Sequence, residues 1–348
     1  MLLESVVSMA IVVALLGAVF SLLDPAQGTL AAQPQAAEMQ QRARAAFVEL
    51  HRDLLMAGSG KGPGSRTALA WLRAPVAPGR VDGSASGTRR SEEPGFTLFY
   101  APPGPAGAHL AAGLPAGVRE VEAALVPGSG CLRPPRCGVD GPGNALVFDR
   151  RGRSELVRVT RARGPTVTLR RHGAGGGNAF PAGASILSVA VRGYVLDRRR
   201  GQLRRHGGTA VTLPFVDGVV DLDVRYFGGP LPALTPASSV GDAIRRVAAP
   251  CLVAAAGGGR PAVPPPSIRE LPAAELVDGP WCGGGVPFDV DLFRVRRVQV
   301  TIRLRVADDA WRGRSLLGSG PPRSSLRRGS VPDRTVRFDV APRALGTW

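Results

Sequence analysis

From Ser5 to Leu23 the chain carries no ionisable side chain, and its polar positions there are three serines. At 1.5 Å per residue this run would make a helix of roughly 28 Å, about one hydrocarbon thickness, so the pattern predicts a membrane-spanning segment over 1–23. "DPAQGTLAAQP" follows, and its prolines and glycine predict a broken or loosened helix between Asp24 and Pro34. Helical periodicity then resumes over the rest of 24–57: Met39, Ala43, Ala46, Phe47, Leu50, Leu54 and Leu55 share one face, with Arg42, Glu49 and Arg52 turned away and Gly58 as the stop.

Beyond Ser59 the period changes from helical to two. Residues 59–95 are rich in Gly, Ser, Arg and Pro and read as loop. Apolar runs of strand length then recur between Gly and Pro: "FTLFYA" at Phe96, "VREVEAALV" at Val118, "ALVFD" at Ala145, "ELVRVTR" at Glu155, "PTVTLRR" at Pro165 and "ASILSVAVRGYVLD" at Ala184. The clearest alternation is "VQVTIRLRV", where Val298, Val300, Ile302, Leu304 and Val306 point one way and Gln299, Thr301, Arg303 and Arg305 the other, as in a half-buried antiparallel strand. "VVDLDVRYF" and "TVRFDV" alternate in the same manner. The expected organisation is therefore 1–23 transmembrane, 24–57 second part of the helix, and 58–348 a β-rich domain with Gly/Pro-rich loops.

Composition changes this picture little. With 348 residues the chain can bury a sizeable core, and its 46 glycines, 32 prolines and 5% aromatic content favour strands and long connections over helices. The net charge is +17, almost all from arginine, since Lys61 is the single lysine. Arginines Arg198, Arg199, Arg200, Arg204 and Arg205 in "DRRRGQLRR" form a candidate polyanion patch. Aromatic residues interleaved for base stacking are scarce, and a GC-rich genome produces the same arginine bias, so nucleic acid ranks as the less favoured partner.

No catalytic constellation emerges. His51, His109, His172 and His206 lie far apart without the spacing of a metal motif, "GSGKGPGS" departs from a phosphate loop, and "GSASG" has Ala85 where a nucleophile would stand. The reading is non-enzymatic, with no cofactor and no metal. Cys131 and Cys137 flank two prolines, while Cys251 and Cys282 flank a Pro/Gly-rich stretch. Two local disulfides fit better than a zinc site, because C-x-x-C spacing is absent and no histidine is near.

The charge at the edge of the apolar run, Glu4, is the first of the chain's family signals. A cleaved signal peptide is disfavoured, because no basic region precedes the run and Leu30-Ala31-Ala32 is a poor cleavage site. "LLESVVSMAIVVALLGAVFSLL" resembles the N-terminus of type IV pilins and pseudopilins. "FVELHRDLLMAGSG" is similar to the helix ending of PilW-like minor pilins, and "GYVLDRRRGQLRRHGGTAVTLPFVDGVVDLDVRYFG", "LFRVRRVQVTIRLRV" and "TVRFDVAPRAL" follow the strand order of that class. The resemblance implies a pilin-like α+β fold: a long N-terminal transmembrane and amphipathic helix packed on an antiparallel β-sheet domain. It also implies an inner-membrane, single-pass location with a periplasmic domain that can enter the extracellular pilus.

Glu4 would be the intramembrane carboxylate that pairs with the methylated terminal amine of a neighbouring subunit. The implied function is a structural minor pilin that helps prime or cap type IV pilus assembly. Its implied partners are other minor pilins, the major pilin, the inner-membrane assembly platform and a prepilin peptidase. The alternatives are a J-class pseudopilin of type II secretion and a DNA-binding competence pilus subunit. The family's basic leader, its glycine and its aromatic first residue are not in the sequence, and in-frame codons upstream of Met1 are expected to encode them.

Overall fold

The N-terminal helix α1 runs from Leu2 to Met56 without interruption in a computed structural model. The structure describes residues 2–60, 69–81, 94–102, 107–128, 139, 141–172, 177–209, 211–231, 250–257, 268–283, 286–306 and 331–342, less the side chains of 1–4, 20–32 and Trp71. The expected break between Asp24 and Pro34 is therefore corrected. Each proline removes one helical hydrogen bond at a cost of about 3 kcal/mol, and the Ala-, Gln- and Glu-rich sequence after Thr29 lets the helix resume. Helix α1 ends at Gly58, whose φ of 73° is the left-handed conformation that glycine adopts freely, and the Gly58 N–H donates to the carbonyl of Phe99 at 2.7 Å.

The transmembrane expectation is overturned. Among the described residues no helix is long and apolar enough to cross a membrane. The single-pass inner-membrane location with a periplasmic domain falls with the span on which it rested.

The fold class is corrected as well. Among the described residues the chain is mostly antiparallel β-sheet, arranged as a ten-stranded sheet, a four-stranded sheet and a two-stranded hairpin, rather than one sheet laid on a long helix. In the larger sheet, β3 (Ala108–Leu110), β4 (Glu120–Pro127), β5 (Gly143–Phe148), β6 (Ser154–Arg163), β7 (Thr166–Arg171) and the first half of β8 (Ser185–Asp197) pair in the cyclic order β8-β3-β4-β7-β6-β5-β8. That cycle is a closed six-stranded barrel. Its interior is filled by alternate residues such as Leu110, Val147, Val157, Val159, Leu169 and Ile186, a core separate from the main one. Gly164, at φ 58°, makes the tight β6–β7 turn.

At one end of the barrel Arg171 and Glu155 form an ion pair of 3.2 Å with side chains almost fully buried. Carbonyls of Asn178 and Pro115 accept from Arg171, both at 2.9 Å, so the guanidinium is held by neutral as well as charged partners. Burial raises the Glu155 pKa, with Arg171 and the Asn178 N–H pulling the other way.

The second half of β8 leaves the barrel and pairs with β2 (Gly95–Tyr100) and β9 (Gln202–His206). The sheet continues to β1 (Val76–Pro78) beyond β2 and to β10 (Thr212–Asp217) beyond β9. The four-stranded sheet has the order β12 (Arg269–Leu271), β11 (Val219–Gly228), β15 (Val295–Leu304), β16 (Arg334–Val340). The inner positions of β15 are Val298, Val300, Ile302 and Leu304, all buried in the main core together with Leu222, Tyr226 and Phe338.

A short helix, Pro250–Gly257, and the hairpin β13 (Trp281–Cys282) with β14 (Phe288–Asp289) are joined by a disulfide between Cys251 and Cys282, with Cα atoms 5.6 Å apart. This region is tied to β2 by Arg73. Its guanidinium lies between the rings of Phe99 and Phe288, at 4.2 and 5.0 Å, and donates to the Val286 carbonyl at 3.0 Å. Burial draws the Arg73 pKa down to about 9.

Candidate functional site

Residues 5–19 of α1 are exposed without exception and carry no charge. Val6, Met9 and Val13 are 62%, 72% and 62% exposed, and Ile11, Val12, Leu15, Leu16 and Val19 each show half or more of their surface. Single exposed apolar residues are ordinary, but a continuous helical surface of this size needs a partner. Fully covering a Val, Leu, Ile or Met is worth about 1.5–3 kcal/mol each, so several together outweigh the entropy of ordering them. Val6, Met9, Ala10, Val13 and Ala14 line a shallow groove along the helix. Ala10 and Ala14 are small and one turn apart, which allows another helix to approach closely.

The C-terminal part of the same helix is held by the body. Met39, Ala43, Ala46, Leu50, Leu54 and Ala57 are buried at spacings of three and four, as helical periodicity requires. Phe47, expected on this face, is more than a third exposed but stacks edge-on against Phe338 of β16 at 5.1 Å, with His51 beside it. Asp53 lies on the buried face, 6% exposed, and accepts hydrogen bonds from the phenols of Tyr194 at 2.7 Å and Tyr100 at 3.4 Å. Burial first, and the Asp53 carboxylate second, push both phenols above their ordinary pKa. Glu49 pairs with Arg205 at 3.2 Å at the edge of this joint.

Asp53 was not singled out in the sequence. The available signal was its spacing, seven residues after Ala46 and three after Leu50, which puts a carboxylate in the apolar stripe.

The sequence-derived candidates are distributed as follows. Glu4 is helical in backbone, and its side chain lies outside the described residues, as do Cys131 and Cys137. Arg198 and Arg199 are exposed on the turn between β8 and β9, and Arg200 pairs there with Asp197 at 3.4 Å. Arg204 donates to Thr212, through Nε to Oγ1 at 3.0 Å and through Nη2 to the carbonyl at 2.8 Å, while Arg205 turns to Glu49. Three of the five thus have partners within the chain. The histidines sit on separate elements: His51 on α1, His109 on β3, His172 just past β7 and His206 on β9.

Compared with known proteins, the chain matches no family model, no curated protein and no solved structure.

Asp278, Asp289 and Asp291 bring carboxylate oxygens within 4.8 Å of one another. Asp289 accepts from the backbone N–H groups of Gly279 at 2.6 Å and Asp291 at 2.8 Å. Its second bond caps the one-turn helix Val290–Arg294, so Asp289 serves the local fold.

Proposed function

We propose that the protein is a non-enzymatic structural subunit of a pilus-type filament, of the minor-pilin kind, which joins other subunits through the exposed apolar part of α1. The observation that carries this reading is the contrast within one helix. Residues 39–57 are docked on the body, whereas residues 5–19 offer an apolar surface on every side. A helix apolar all round is stable when surrounded by other helices rather than paired along one face. The resemblance of the N-terminal segment to type IV pilins supplies the class of assembly, with minor and major pilins as the partners. On this reading Glu4 sets the axial register by pairing with the terminal amine of a neighbour.

A photo-crosslinking residue in place of Val13, in cells making the full set of filament subunits, tests the proposal. Capture of the N-terminal helix of another subunit is expected, with loss of capture and of filaments in a Met9→Asp, Val13→Asp variant. Filaments in normal number from that variant would overturn the proposal.

A further inference from the structure

The outer wall of the barrel carries arginines that form no ion pair among the described residues. Val157, Val159, Val167 and Leu169 point into the barrel, so the alternate residues of β6 and β7 stand on its outer wall. These are Arg158, Arg161, Arg163 and Arg170, interleaved with Thr160, Thr166 and Thr168. A register shift between Val159 and Arg161 keeps Arg161 on the wall opposite Thr168. Arg158 and Arg170 lie directly across from each other, a like-charge pair that costs stability in a free sheet. Strands lie about 4.8 Å apart and alternate residues about 6.6 Å apart, so the four guanidinium groups fall within a patch about 20 Å long.

Among the described residues none of these four arginines forms an ion pair. Glu120, opposite Arg170 in the register, instead accepts from the Thr160 hydroxyl at 3.4 Å. The polar face of the four-stranded sheet is different. There Arg225 pairs with Asp223 and Glu270, Arg297 covers the ring of Phe227, and Gln299 donates to Asp339. Arginine abundance alone does not separate the two surfaces. Their partners do.

We propose that the barrel wall formed by β6 and β7 binds the phosphate backbone of double-stranded nucleic acid. Clustered guanidinium groups fit phosphate oxygens in bidentate geometry, and the threonine hydroxyls between them supply further donors. No aromatic side chain stands among these positions to stack bases, which favours a duplex, with phosphates on its outside, over an unpaired strand. The net charge of +17 draws such a polyanion toward the chain. This site is separate from the apolar helix, and neither proposal depends on the other.

The test uses the full chain, kept in solution by a non-ionic detergent, and a dye-labelled DNA duplex of about twenty base pairs titrated over a salt series by anisotropy. Binding is expected to weaken with salt at a log–log slope of about −3 to −4, as four arginines release counterions. Arg161→Glu with Arg163→Glu should weaken binding by about tenfold or more and make the slope shallower by about two. Arg198→Glu with Arg199→Glu changes the net charge equally on a different turn and should shift affinity by less than about twofold.

Unchanged urea midpoints confirm that the variants fold, and Arg161→Gln with Arg163→Gln replaces a variant that does not. Equal losses in the two charge-reversed proteins would overturn the site in favour of general attraction. Absence of binding at low ionic strength would overturn it too. So would displacement of the duplex by a sulfated polysaccharide at lower charge concentration, which would reassign the wall to acidic glycans.

Discussion

The two parts of α1 differ in the amount and the spread of their apolar positions and have opposite surroundings. Over residues 39–57 the apolar positions recur every three to four residues, polar side chains fill the other faces, and the stripe is buried against both sheets. Over residues 5–19 the apolar positions go all the way round and every residue is exposed. The difference teaches that hydrophobic amount sets whether a helix must be covered, while hydrophobic pattern sets by how many neighbours. One stripe is satisfied by one body; a full circle calls for several partners.

That comparison can be broken most sharply in the docked part. Leu54 is fully buried, and Leu54→Ala is expected to cost about 2–5 kcal/mol in urea unfolding followed by tyrosine and tryptophan fluorescence. A loss under about 1 kcal/mol would mean that α1 does not belong to the cooperative unit of the body.

The polar side of the same joint comes next. Asp53→Ala leaves the Tyr194 phenol without its 2.7 Å acceptor and should cost about 1–3 kcal/mol. The joint also predicts a pH dependence whose sign is set by the two phenols. Their pKa values are raised in the fold, so the folded chain holds these protons more tightly than the unfolded chain. Their contribution is complete below the unfolded value of about 10 and is lost as pH rises through the raised folded values. Urea midpoints measured from pH 8 to pH 11 should therefore fall at the alkaline end, and less steeply for Tyr194→Phe. Parallel curves for the two proteins would remove the phenols from the explanation.

At the rim of the joint, Arg205→Ala breaks the pair with Glu49. Both side chains are about a third exposed and solvent screens them, so the expected loss is below about 1 kcal/mol. The smallest effect belongs to the uncovered part of the helix. Met9→Asp with Val13→Asp should leave the unfolding midpoint of the body within about 0.5 kcal/mol of the parent, because both side chains are more than half exposed. A larger shift would show that residues 5–19 contribute to the body after all.

Much of the β-structure was legible in advance. Each long apolar run read from the sequence falls on a strand, from "FTLFYA" on β2 to "TVRFDV" on β16, because strands of six or more residues are long enough to show a buried face. Strands β1, β3 and β12, three residues each, escaped notice because so few positions cannot display a period. The expected helix break failed for a related reason: proline signals the loss of one hydrogen bond, and it is the flanking sequence that decides whether the helix continues. The transmembrane expectation counted an uncharged run alone, and among the described residues no helix is long and apolar enough to cross a membrane.

The sequence by itself determined which side of the long strands is apolar and most of the face by which α1 docks. Those properties are local, written in periods of two and of three to four residues. Tertiary structure alone decided that β8 pairs with β5 on one side and β3 on the other to close a barrel, that Asp53 meets two tyrosines, and that Arg225 meets Glu270 of the next strand while Arg161 and Arg163 pair with no carboxylate among the described residues. Alternation specifies a face but not its neighbour, and a charge acquires its role from the register that places its partner.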